Sequence, residues 1–496
     1  MRFVLLFILI LGRLDAEANF TWTENCKTAY EYALKLNFKK ASEFVEDEKK
    51  KNPTNKLTIY IESQIDFLNA FISERKSILD TLKENNSERI DLLKTQPENS
   101  PYQKFIIAEM QLQCAVVRIK FEEYFGAVYQ IRSAYKLLQE NQQEFPQFIP
   151  NLKGLGLIHV AVGSIPKTFS WAGNLFGLNG TVREGIDELQ TLYFESTKQK
   201  EYSFIKEEAI IMLTFLELNL DKRNRDLGKI RNRYQNIETI NSKPLMLFSK
   251  CFFHTAAAEN DSVIYLLSNR KKDPTAFQLY YLDFMEGTAR LNNLDFSAVE
   301  NFEIYSRNYK GNTYKKSVIQ REAWIELLKG STENYIKIIS SCKIVKKDEN
   351  FTDEDKQAIN EAKQGIIPNK ILLRSRLLFD GGYYNRALKE LAGVPISNFP
   401  SQRDQIEFTY RLARIFEKLN KREQSIEFYE STLKNGANYS YYFAANSSLL
   451  LAQMYENDGN IVKAKEYFKK TLSLRNHEYQ NSIDQKAKAG LNRLGE

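Results

Sequence analysis

The residue types that most often carry chemistry are sparse and poorly paired in this chain. Its three histidines are His159, His254 and His477, and none lies one helical turn from another. The paired-histidine arrangement by which a helix holds zinc is therefore absent. His159 sits in the apolar run LGLIHVAV, where a satisfied core histidine or a groove histidine is expected. Glu184, Asp187 and Glu188, in VREGIDEL, place two carboxylates on one helix face, a pattern expected of a solvated surface. Gly154-x-Gly156 lacks a third glycine and a preceding strand, so it is no dinucleotide-binding turn. No glycine-rich loop is followed by the Lys and Ser or Thr that cradle a phosphate, and no nucleophile has a base at motif spacing. A non-enzymatic protein is expected, with no catalytic residue, no cofactor and no metal ligand. The four cysteines, Cys26, Cys114, Cys251 and Cys342, form no C-x-x-C pair. An even count permits disulfides in three connectivities. Cys114 precedes Ala115 on a packed face and Cys251 lies in KCFFH, so buried free thiols acting as small hydrophobes are favoured.

What the chain does contain is a recurring pair of small residues twelve positions apart: Ala29 and Ala41, Ala115 and Ala127, Ser375 and Ala387, Ala413 and Ser425, Ala452 and Ala464. Two small residues at this spacing, with a turn between them, suit the closest approach of two antiparallel helices. Stacked hairpins of this kind build a helical solenoid, in which each repeat buries its apolar face on its neighbours. Such a stack escapes the usual limit on a single core, which at 496 residues would give roughly three domain equivalents. A hydrophobic content of 43% supports packing, and 11 prolines with 21 glycines argue against an all-β chain full of turns.

Along the chain, residues 1–18 read as an export signal: Arg2, the apolar run Phe3–Leu11, and Ala16-Glu17-Ala18 as a cleavage site. The run is too short for a stable bilayer span, and no later stretch is long and apolar enough. Helical-hairpin repeats are expected over 19–200, divergent helical repeats over 201–365, and further repeats with a capping helix over 366–496. Lys83 to Pro101 reads as helix ends and a loop. The segment Leu282 to Tyr305 reads as a repeat with Ala289 and Ala298 in place and a shortened turn at LNNLD. The charged connector Lys343 to Gln364 is the best candidate boundary. Residues 151–189 hold seven of the 21 glycines, which implies close backbone approach between two apolar helices or a groove. Trp171, Gly173, Gly177 and His159 are the residues of that possible partner groove, with Trp171 as its anchor. A net charge of +7 is a thin bias over this length, and no continuous basic stripe with aromatics suggests nucleic acid.

The C-terminal pair, with Ala452, Tyr455, Gly459, Ala464 and Phe468, resembles a tetratricopeptide repeat. Ala413, Phe416, Ser425 and Tyr429 resemble one too, with Asn420 where glycine is usual, as do Ala29, Tyr32, Phe38, Ala41 and Pro53. The segment IPKTFSWAGNLFGLNGTVREGIDEL, between an N-terminal helical pair and the later repeats, is similar to exported bacterial repeat proteins, chiefly of Bacteroidetes. It is more distantly similar to the eukaryotic inclusion-body-clearance family. The resemblance implies an all-α, right-handed α-solenoid of tetratricopeptide-like hairpins. It implies a scaffold that binds a protein or peptide partner on its concave face, in the periplasm or at the outer envelope. The alternative is a glycan- or nutrient-binding repeat protein of the outer envelope, using aromatics such as Tyr439, Tyr441 and Tyr442.

Overall fold

A computed structural model describes residues 19–96, 99–165, 177–220, 225–345 and 351–496. Across these residues the chain is α-helical with short 3-10 turns and no strand; one isolated bridge joins Asn19 to Asn55. The export segment lies outside the described residues. No described helix is long and apolar enough to cross a membrane.

All five small-residue pairs sit where two helices of a hairpin meet. The hairpins are Glu24–Leu34 with Phe38–Lys51, Pro101–Lys120 with Tyr124–Glu144, Lys370–Asp380 with Tyr384–Leu391, Gln402–Lys418 with Arg422–Gly436, and Phe443–Asn457 with Ile461–Ser473. Every member of the five pairs is at most 1% exposed. Where a serine replaces alanine, its hydroxyl finds a partner across the crossing. Ser375 Oγ donates to the Ala387 carbonyl and Ser425 Oγ to the Ala413 carbonyl, both at 3.0 Å, so no buried donor is left unmet. These are tetratricopeptide-like hairpins.

The turn obeys an offset of its own. Seven residues past the first small residue, Leu36, Glu122, Gly382, Asn420 and Gly459 adopt left-handed backbone, with φ of 60°, 61°, 83°, 58° and 75°. Leu36 accepts a conformation that costs a side-chain-bearing residue about 1–2 kcal/mol because its side chain is wholly buried there. The same offset refines the reading of LNNLD. Leu294 is left-handed at φ 63°, seven past Gly287, so Gly287, rather than Ala289, holds the first small position, and the buried Ala298 follows eleven residues after it, one short of the spacing in the other hairpins. A Cβ on Gly287 would lie 2.8 Å from the Phe302 ring.

A second correction concerns residues 83–94, which are not loop: helix Lys76–Lys94 runs through Asn85-Asn86-Ser87. Asn86 is buried inward, donating to the Met110 carbonyl and the Cys114 sulfur and accepting from Ser63. Tertiary partners thus override its weak helix propensity. Beyond residues 346–350, Thr352 and Asp355 form a capping box that starts helix Asp353–Gln364. Asp355 also accepts from the backbone N–H groups of Tyr314 and Ser317 at 2.8 and 2.9 Å, so one carboxylate caps two helices.

The chain divides into two compact units. One runs to Ala257 and adds Leu266–Leu282 and Asn308–Asn312; the other comprises Ala258–Tyr265, Asp283–Arg307 and Thr313–Glu496. The first unit's core is aromatic around Tyr30, Tyr60, Phe105 and Phe148, and Trp22 stacks on Phe204 at 4.1 Å. In the second unit Tyr410, Tyr429, Phe443 and Phe468 fill the space between hairpins. All four cysteines are buried, and no disulfide joins them.

Candidate functional site

The buried cluster of charged groups in the first unit is a poor candidate for chemistry because its members are shut away from solvent. Lys153 Nζ lies 2.6 Å from Glu109 and 2.9 Å from Glu208, with the Tyr60 hydroxyl at 3.4 Å; Tyr30 donates to Glu208. All of these residues are buried. Burial opposes the Lys153 charge, but the two carboxylates outweigh it and hold its pKa well above the usual lysine range. Burial also pushes the Glu109 carboxyl up, while Lys153 draws it back. Gln113 links Gln64 to Ser63 beside this centre. The network joins helices of the first unit internally and is structural.

The second unit carries an open groove of about 520 Å³, within the usual range for ligand sites. Its helical walls are Asp353–Gln364, Lys370–Asp380, Gln402–Lys418, Phe443–Asn457 and Gln480–Arg493, with Trp324 from Lys315–Lys329. The second helices of the three C-terminal hairpins, Tyr384–Leu391, Arg422–Gly436 and Ile461–Ser473, contribute no side chain to it. Helical spacing explains this. Along Gln402–Lys418 the residues Arg403, Glu407, Tyr410, Arg411 and Arg414 fall in one stripe, while Ala413 is buried at the crossing with Ser425.

Five cations line the groove, Arg376, Arg403, Arg411, Arg414 and Lys486, facing Glu361, Asp380, Glu407 and Glu478. Most of this charge is internally matched. Arg411 grips one Glu407 oxygen at 2.8 and 3.1 Å, and Arg403 reaches the other at 3.2 Å. Burial would raise the Glu407 carboxyl, yet these guanidinium groups hold it below the ordinary glutamate range. Arg376 lies 3.7 Å from Asp380 and over the Trp324 ring. Glu361 accepts from Trp324 Nε1, Tyr335 and Gln320 at 2.8, 3.0 and 2.7 Å, and burial pushes its carboxyl up.

Arg414 is different. It stacks over Phe379 at 4.8 Å and donates to the Tyr410 hydroxyl at 2.9 Å, and Asn446 donates to the same hydroxyl at 2.7 Å. No carboxylate lies within ion-pair distance of Arg414 or of the exposed Lys486 among the described residues. The Arg403 Nε also finds no partner among them. The groove therefore offers a held guanidinium with no salt-bridge partner, its charge favoured from further off by Glu417, an arrangement suited to carboxylate or carbonyl oxygens.

Of the residues singled out from sequence, Trp171 and Gly173 lie outside the described residues. Gly177 is left-handed at φ 67° with open space where a Cβ would stand. His159 is buried, its Nδ1 2.7 Å from Glu188 and 3.8 Å from Glu184. Around it, Gly156 and Gly185 bring two helices into backbone contact: a Cβ on Gly156 would lie 2.9 Å from the Gly185 carbonyl oxygen. Tyr439 and Tyr441 stack on each other at 5.9 Å, and Tyr442 lines the groove with its ring edge-on to Tyr479. The groove's charged stripe was not singled out from sequence, although its spacing, with Arg403, Glu407 and Arg411 at i, i+4 and i+8 and Arg414 at i+11, is written in it.

No protein-family model matches the chain, and no curated protein matches it. Among solved structures, the chain is similar to that of Naa15/Naa10 bound to HypK-THB, at 12% identity and a TM-score of 0.24. The match covers 95% of this chain and 65% of that one, so this chain spans less than two thirds of its length. At that score the fold rests on the hairpins themselves.

Proposed function

We propose that this chain is a non-enzymatic helical-repeat scaffold whose second-unit groove holds an extended segment of a protein partner, and that the segment presents carboxylates to Arg414. The observation that carries this reading is Arg414 itself: a guanidinium fixed by Phe379 and Tyr410, in an open groove, with no carboxylate in salt-bridge contact among the described residues. A charge-assisted hydrogen bond of this kind contributes about 1.5–3 kcal/mol, or roughly tenfold or more in affinity. Peptides selected from a random displayed library on the whole chain are expected to be enriched in Asp, Glu or a free C-terminal carboxylate. Arg414→Gln and Lys486→Ala should each weaken them, Arg414→Gln at least tenfold, with helicity unchanged. Enriched peptides that lack carboxylates, or that bind Arg414→Gln as tightly as the parent chain, would remove the reading.

We further propose that the scaffold is exported and works in the envelope of a bacterial cell. The support is the apolar run Phe3–Leu11 behind Arg2 and ahead of Ala16-Glu17-Ala18. N-terminal sequencing of the protein from its native cell should start near Asn19. An intact Met1 on a cytosolic protein would end this proposal.

A further inference from the structure

In the first unit, three potential metal ligands from two helices converge on one point. His159 comes from helix Asn151–Gly163; Glu184 and Glu188 stand one turn apart on helix Val182–Lys198. The ligand atoms of all three lie within 4.8 Å of one another. His159 Nδ1 faces both carboxylates, Glu188 at 2.7 Å and Glu184 at 3.8 Å.

Three features separate this group from a solvated acidic face. First, the imidazole is 9% exposed, whereas Glu188 and Glu184 are 20% and 51% exposed, so a nearly buried nitrogen is reached from an open side. Second, the backbone holds the ligands in place. Gly156 and Gly185 let the two helices touch, and Gly180 packs against His159 so closely that a Cβ would lie 2.7 Å from its ring. The Thr181 hydroxyl accepts from the Glu184 N–H and starts the helix that carries both carboxylates, and the Tyr135 ring stands edge-on to the imidazole at 5.7 Å. Third, the charge is unbalanced. Two carboxylates one turn apart repel each other, and a protonated imidazole offsets one of them. A dication bound by a neutral imidazole offsets both.

We propose that His159, Glu184 and Glu188 form a site for a divalent transition-metal ion of the zinc class, with water completing the coordination. One imidazole nitrogen and two carboxylate oxygens are ligands that zinc accepts, at about 2.0–2.2 Å each. Tetrahedral geometry then sets neighbouring ligand atoms about 3.3–3.5 Å apart. The observed separations of 2.7 and 3.8 Å from the imidazole bracket that value, and the two carboxylates lie within 4.8 Å of each other. The site is independent of the groove reading and stands or falls without it.

The test uses the full chain without a histidine tag, dialysed against chelator and then titrated with Zn2+ in a calorimeter and with Co2+ in a spectrophotometer. One ion per chain is expected, with the stronger visible d–d absorption of four- or five-coordinate Co2+ rather than that of the hexa-aqua ion. Glu184→Gln changes a half-exposed side chain and should leave the fold intact while weakening Zn2+ binding at least tenfold. Glu188→Gln should do the same, and His159→Gln should abolish the site. No ion bound at micromolar Zn2+, or an ion bound equally well by Glu184→Gln and Glu188→Gln, overturns the proposal.

Discussion

Replacing Lys153 by methionine is expected to destabilise the first unit by about 3–5 kcal/mol, the range for removing one partner of a buried ion group. Lys153 is the cation between Glu109 and Glu208, at 2.6 and 2.9 Å, and all three are buried. Methionine fills much of the same volume, so packing is nearly conserved and the loss is electrostatic. Two carboxylates are then left near each other in a place where burial already raises the Glu109 carboxyl. The pH dependence follows from that direction. A carboxyl raised in the folded state binds its proton more readily there than in the unfolded chain, so its penalty grows as pH rises through the folded value. The variant should therefore recover stability in mild acid, and Glu109→Gln should rescue part of the loss at neutral pH. Urea unfolding at pH 7 and pH 5 measures both. A loss under about 1 kcal/mol, or one that ignores pH, would mean that the three groups are not buried together.

Gly185→Ala is the second large effect. Alanine ordinarily strengthens a helix by up to about 1 kcal/mol over glycine. Here the added methyl would meet the Gly156 carbonyl oxygen, with Val160 Cγ2 at 2.7 Å and Val160 N at 2.8 Å. Two of those three atoms are backbone and move only if the helices separate. Overpacking typically costs about 1–3 kcal/mol, occasionally more, so the clash wins over the propensity gain and a net loss of about 2 kcal/mol is expected. Thermal and urea unfolding of the variant check it. An unchanged or raised midpoint would show that the two helices do not approach as closely as Gly156 and Gly185 allow.

The glycine pair also shows how far the sequence could be read. Glycines dense over 151–189 imply close backbone approach, and Gly156 against Gly185 is such an approach. The five small-residue pairs were legible for the same reason: a helix crossing with no room for a side chain leaves a mark in residue size. Polar residues mislead more easily. Asn86 reads as a turn former until its partners on other helices, Met110 and Cys114, are known. The Gly287 register was hidden by Ala289, another small residue two positions on, and the left-handed backbone at Leu294 with the Phe302 ring against Gly287 separates them.

The groove was harder still. Arg403, Arg411 and Arg414 look like ordinary surface charges in QRDQIEFTYRLARIF. Their enclosure depends on side chains from another hairpin, such as Asn446 and Tyr442. His159 and Glu188 were each noted, but 29 residues and a glycine-rich segment separate them, and no local spacing brings an imidazole to a carboxylate over that distance.

In the proposed function, a partner segment lies along the first helices of the C-terminal hairpins. Hydrogen exchange of the whole chain, with and without a selected carboxylate-bearing peptide, tests it most directly. Slowed exchange is expected in Lys370–Asp380, Gln402–Lys418, Phe443–Asn457 and Gln480–Arg493, which line the groove, with little change in Arg422–Gly436 and Ile461–Ser473, which do not. Protection concentrated in those second helices, or confined to the first unit, would contradict it.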